Sequence, residues 1–254
     1  MSMPKNYEIN IIFITPPGAM EASMIYTRAY SSNSDRRLVS GKGQQLPSLD
    51  EEYPFLCPSS LELEFRNHCK RWSKLPTALV STSSRILDTI KRAYELWQDG
   101  EDAESVWVVF IETPWEKEDM VTRIHHAEAL AAQYGHPRPK LFHYEFLFEW
   151  TIPRRWVKYK VSLETLMDRG LDWAKYFLGP KLTSSSNMGN LIKKPSRISL
   201  DDLRREELSM TQYHETPWDI GLSMGCITKC FGARAPLGWI TKQLFIDLFR
   251  PDYS

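Results

Sequence analysis

The stretch "FHYEFLFEW", residues 142–150, decides how this chain is read. Phe142, Tyr144, Phe146, Phe148 and Trp150 hold one parity, and His143, Glu145, Leu147 and Glu149 hold the other. Successive side chains of a strand point to opposite faces. The spacing therefore predicts a strand with an aromatic face for a core and a second face carrying a histidine and two carboxylates. An alternating strand of this kind usually turns its polar face to water, and Glu149 is expected to be solvated. A polar face of this composition can also border a site, so the rest of the chain is read for what could meet it.

On the N-terminal side, "SVWVVFIET" (105–113) is β-branched and aromatic throughout and predicts a strand. Further strands are expected at 7–15 ("YEINIIFIT"), 23–31 ("SMIYTRAYS") and 77–80 ("TALV"), the last running into "STSS". A helix is expected over about 60–73, where Ser59 and Glu62 form a capping-box pattern and Leu61, Phe65, Cys69 and Trp72 recur at helical spacing. A second, over 84–98, aligns Ile86, Ile90, Ala93 and Trp97 on one stripe. A third, over 116–134, stops at Gly135. After the quoted stretch come a strand in "RRWVKYKV" and a short helix from Ser162 to Gly170. Strands and helices mix with few βαβ units, which predicts an α+β fold. Three regions are expected: residues 1–180 as one domain, a linker at 181–199, and a helical and aromatic extension of unknown role at 200–254, beginning with a small helix capped by Ser199.

Composition excludes several classes. Charged residues make up 25% and the apolar set 42%, as in an ordinary soluble globular protein. The 32 basic and 32 acidic residues cancel, so no molecule-wide basic field for nucleic acid exists. No apolar run is long enough to span a bilayer, and "INIIFIT" lacks the basic start and long core of a secretory signal. A cytoplasmic protein is expected, with a secreted effector as the alternative. Four cysteines are too few for a disulfide scaffold. Cys226 and Cys230, near His214, are half of a zinc pattern without a second half, so no metal site is expected. Dinucleotide and Walker glycine motifs, the G-x-S-x-G elbow and H-E-x-x-H are all missing.

What remains is an ordered set of three short motifs: "IYTRAYS", then "LVSTSS", then "HYEFLFEWTIP". In this order the sequence resembles the ADP-ribosyltransferases of the Arg–Ser–Glu type, the group of the cholera and heat-labile enterotoxin A chains. In that family one strand carries an aromatic-plus-arginine motif, the next Ser-Thr-Ser, and a later one the catalytic Glu, with Ile-Pro following after six residues. Here Ile152-Pro153 follows Glu145 after "FLFEWT". The resemblance covers about residues 23–165, and the remainder has only a general likeness to uncharacterised domains of filamentous fungi.

The resemblance implies an ADP-ribosyltransferase-like split, mixed or antiparallel sheet with flanking helices, and NAD as substrate. It implies Arg28, Ser81 and Glu145 as catalytic residues, and Arg28, Tyr30, Ser81, Thr82, Ser83 and His143 as NAD-binding ones. Glu145 would stabilise an oxocarbenium-like transition state, as carboxylates do in glycoside cleavage. Arg28 would take a phosphate or ribose oxygen through its forked donors. Ser81 would fix the Glu145 rotamer, and Thr82 and Ser83 would shape the strand end and cap the next helix. Glu149 is the alternative carboxylate if the register differs. Two departures stand out. His143 occupies the position where relatives carry Glu or Gln, which argues against arginine as the acceptor and leaves another protein target or water. Residues 114–140 are long, with Tyr134 and "GHPRPK" as candidate target contacts. A catalytically inactive module for protein–protein contact is the alternative function, and modification of nucleic acid is disfavoured by the charge balance.

Overall fold

The structure is a computed structural model that describes residues 24–32, 38–42, 55–70, 75–114, 122–171 and 217–248. The expected strand at 7–15, the linker at 181–199, the helix begun by Ser199, and His214 lie outside the described residues.

Among the described residues, six strands form one antiparallel sheet: β1 (Ile25–Ser31), β2 (Leu79–Ser83), β3 (Val106–Glu112), β4 (Ile124–His126), β5 (Glu145–Glu149) and β6 (Val157–Ser162). Their order is β4-β5-β2-β1-β3-β6. The helices among the described residues are α1 (Pro58–Cys69), α2 (Ile86–Gln98), α3 (Ala127–Gln133), α4 (Leu163–Asp168), α5 (Pro217–Cys230) and α6 (Leu237–Leu248). The α+β expectation is met, and the sheet is antiparallel wherever its strands pair. No helix among the described residues is long and apolar enough to cross a membrane.

One face of the sheet carries two separate groups of helices. Over β1, β3 and β6, Val106, Val108, Phe110 and Val161 pack with Ile86, Ile90, Ala93 and Tyr94 of α2. Met224, Cys230, Phe231, Ile240 and Leu244 from the C-terminal helices complete that core, so the extension supplies one of its walls. Over β2 and β5, Leu79 and Leu147 pack with Leu61 and Phe65 of α1 and Ala127, Leu130 and Ala131 of α3. The opposite face buries Tyr26, Val80, Val109, Ile111 and Phe148 under Ile152 and Trp156.

Between the two helix groups the sheet splits. β1 and β3 pair along seven residues, and β2 and β5 along five, but β1 and β2 pair only at Thr27 and Ser83. Beyond that single pair the ladder stops, and the Arg28 guanidinium spans the gap by donating to the Ser81 carbonyl. A backbone carbonyl left without its ladder partner needs another donor, and a long cationic side chain supplies one.

Several local expectations are corrected. α1 begins at Pro58, ahead of the expected start near residue 60, because proline is suited to the first helical position; Cys57 and not Ser59 is the cap, and no capping box forms. Trp97, at the far end of the α2 stripe, is 41% exposed. Of the helix expected at 116–134, the described part begins at residue 122, and within it only Ala127–Gln133 is helical, because Ile124, His125 and His126 are drawn into the sheet by pairing with Phe148, Leu147 and Phe146. Gly135 does end that helix, at φ 69°. The quoted stretch is a strand only from Glu145: Pro139–Phe142 form a 3-10 turn, because proline fixes φ and suits the start of such a turn. Trp150 leaves the strand at a positive φ of 61°, held by hydrogen bonds from its own N–H to Ala78 O and from Ser40 N–H to its carbonyl. Glu149 is not solvated. It is 1% exposed and accepts from the Leu56 N–H (2.9 Å) and from His125 Nε2 (2.8 Å).

Candidate active site

A cavity of about 540 Å³ opens at the split, lined by β1 from Thr27 onward, by the whole of β2, by the first residue of β5 and by residues of α1 and α2. That volume lies within the range of small-molecule and cofactor sites. Thr27 stands at its floor, where its hydroxyl meets Thr89 Oγ1 at 2.7 Å and ties β1 to α2.

Glu145 enters this cavity because it is the first residue of β5 and shares a face with Ser81, two residues along its partner strand. The Ser81 hydroxyl donates to Glu145 Oε1. The same oxygen lies 2.9 Å from His68 Nε2, on the last turn of α1. Arg28, bound to the Ser81 carbonyl, adds its charge. Glu145 remains 24% exposed, so it is held but reachable. Burial pushes its carboxyl up. The hydrogen bond and charge of His68, the Ser81 hydroxyl and Arg28 together outweigh this and hold it below the usual carboxylate range. The group is therefore an anion at neutral pH.

A second carboxylate, Asp88 of α2, lines the same cavity and behaves oppositely. Burial pushes it up, Asp247 adds to the rise, and Arg85, Ser83 and Lys91 only partly offset it. Ser83 Oγ donates to Asp88 Oδ2 (3.3 Å) and accepts from the Arg85 N–H (3.0 Å), but the cap residue of α2 is Arg85 and no side chain caps the helix, so the expected capping by Thr82 and Ser83 is not found. Arg85 itself is 1% exposed. It pairs with Asp247 of α6 at 2.8 Å and lies over the Tyr144 ring at 5.2 Å. The buried guanidinium thus braces the turn that delivers Glu145 against the C-terminal helix.

The structure brings Arg28, Tyr30, Ser81, Thr82, Ser83 and Glu145 to one cavity. Thr82 is 3% exposed and spends its hydroxyl on the Phe146 carbonyl (2.9 Å), which pins β2 to β5. His143 does not line the cavity. It sits in the turn before β5, where strand parity no longer relates it to Glu145, and its Nδ1 lies 2.6 Å from Glu128 Oε2. Tyr134 packs against Phe65 at 5.9 Å, on the α1 side. Sequence reasoning missed His68, Asp88 and Arg85. His68 lay on an expected helix whose apolar stripe drew the reading, and nothing local showed that its other side would face β5.

The chemistry available here is that of one fixed, ionised carboxylate beside an imidazole, a hydroxyl and a guanidinium. Arg92 of α2 and Lys70 just beyond α1 add two further cations to the lining. The set suits a ligand with anionic parts and a centre where positive charge develops.

Compared with known proteins, the chain matches the family described as "Domain of unknown function (DUF7587)" over residues 27–166, more than half of its length, and belongs to that family. No curated protein matches it. The matched segment runs from Thr27 to Leu166 and contains Arg28, His68, Ser81, Asp88 and Glu145.

Proposed function

We propose that this member of the family is an NAD-consuming enzyme with an ADP-ribosyltransferase-like fold, cleaving the bond between nicotinamide and ribose. ADP-ribose then passes to a protein side chain or to water. The observation that carries the reading is the meeting of Arg28, Ser81 and Glu145, from three separate strands, at one cavity over the split in the sheet. An antiparallel sheet opened at its centre is also the architecture that the motif order implies.

In this reading the C–N bond to nicotinamide breaks with its electron pair going to the ring nitrogen, so nicotinamide leaves neutral and no strong acid is needed. The ribose is left with oxocarbenium character. An anionic Glu145 beside it lowers the barrier electrostatically, and the Ser81 hydroxyl and His68 fix the carboxylate in place. Arg28, with Lys70 and Arg92 on the rim, supplies donors for the phosphates. His143 points toward Glu128, so no side chain two residues before Glu145 is placed to activate an acceptor arginine. Water, or a different protein nucleophile, is the acceptor this geometry favours.

The test is nicotinamide release by the purified chain, with NAD binding measured in parallel by calorimetry. In Glu145→Gln, release is expected to fall by at least about 100-fold, the scale of losing one preorganised transition-state group, while NAD still binds. Release that survives the substitution overturns the role of Glu145. Absence of both NAD binding and release overturns the enzyme and leaves a module for protein contact.

A further inference from the structure

Outside the cavity, His126 at the end of β4, Glu128 in the first turn of α3 and His143 before β5 converge on one another. Their ligating atoms all lie within 4.8 Å. We propose that these three side chains form a binding site for a transition-metal dication of the zinc class.

A backbone hydrogen bond already fixes the His126 tautomer. His126 Nε2 lies 2.7 Å from the His143 carbonyl oxygen, which can only accept. Nε2 therefore carries the proton, and the lone pair sits on Nδ1. A metal-binding imidazole is set up in this way, with one nitrogen tied to a carbonyl and the other left to coordinate. The ring is also fixed in orientation, stacked on Phe146 with centroids 4.8 Å apart and planes 27° from parallel. The His143 ring stands edge-on to Tyr144 at 4.7 Å.

His143 Nδ1 and Glu128 Oε2 are hydrogen-bonded at 2.6 Å, a bond that a cation would replace. In a tetrahedral zinc site with bonds near 2.0–2.1 Å, neighbouring ligand atoms sit about 3.3 Å apart. The His143–Glu128 pair must therefore open by roughly 0.7 Å. Side chains 49% and 26% exposed, as these are, have room to turn that far. Two imidazoles and one carboxylate favour zinc, copper or nickel over calcium or magnesium, which want oxygen ligands. Three protein ligands leave a fourth position for water. Binding would clamp the start of α3 to the turn that leads into Tyr144 and Glu145. It does not depend on the NAD reading.

The experiment titrates the chelator-stripped full chain with Co²⁺, followed by competition with Zn²⁺. One Co²⁺ per chain is expected, with a visible ligand-field spectrum and no thiolate-to-metal charge transfer, which separates this site from any on cysteine. His143→Ala and Glu128→Gln are each expected to weaken binding more than tenfold, while His136→Ala, a histidine outside the trio, leaves it unchanged. Two variants at accessible positions keep the test valid if one of them fails to fold. No binding, binding with thiolate charge transfer, or binding by both trio variants as tight as that of the unmodified chain overturns the site.

Discussion

Glu145 and Glu149 begin and end the same five-residue strand on the same face, and each meets a histidine, His68 and His125 respectively. Their burial separates them, and so should their substitutions. Glu149 is 1% exposed. Replacing it with alanine removes hydrogen bonds from the Leu56 N–H and His125 and leaves that N–H without its acceptor. Each bond to a charged group contributes about 1.5–3 kcal/mol, and taking one partner from a buried set costs about 3–5 kcal/mol. At about 2–4 °C per kcal/mol for a domain of this size, Glu149→Ala should lower Tm by roughly 6–20 °C. In Glu145→Ala the freed partners, Ser81 and His68, face a cavity that admits water, so the cost is nearer about 1 kcal/mol and a few degrees. Thermal melts at pH 7, checked by urea unfolding, measure both. Equal losses, or a larger loss for Glu145→Ala, would refute the assignment of Glu149 to structure and Glu145 to function.

Three further outcomes are expected. Because the Glu145 carboxyl is held below its ordinary range, its stabilising charge is complete above about pH 4.3, the ordinary glutamate value, and is lost as pH falls through the lower folded value. The acid side of a Tm-against-pH curve should therefore be shallower in Glu145→Gln than in the unmodified chain, and identical slopes would contradict this. Asp247→Ala should cost about 3–5 kcal/mol in urea unfolding, because it takes from the buried Arg85 guanidinium its nearer carboxylate (2.8 Å) and leaves it Asp88 at 3.6 Å; a loss below about 1 kcal/mol would show the pair to be dispensable. Alkylation of thiols should single out Cys57, exposed and pushed down to about 7 by the hydroxyls of Ser59 and Ser60, over Cys69, which burial raises to about 11. A rate profile with its midpoint near pH 8.5 or above would exclude the lowered thiol.

The sequence by itself determined the elements whose signal is local. Strand β3 is β-branched or aromatic at every position but its last, and it pairs on both edges. Helix α2 was readable from Ile86, Ile90 and Ala93, all buried. The order of three short motifs placed Arg28, Ser81 and Glu145 on separate strands, and those strands do lie side by side through β2. Where a competing long-range interaction won, local reading failed. His125 and His126 look helical beside "AEALAAQ" but complete a sheet edge, and parity across 142–150 breaks where the 3-10 turn hands over to β5.

Only the tertiary structure decided which acid is buried and which is reachable. Parity puts Glu145 and Glu149 on one face, but that face is covered by α1 at one end and open at the split at the other. It likewise decided that His68 would reach Glu145 across 77 residues of chain, and that Arg85 would be enclosed by α6. Burial and partnership depend on what packs from a distance, and a periodic pattern carries no information about which distant element will arrive.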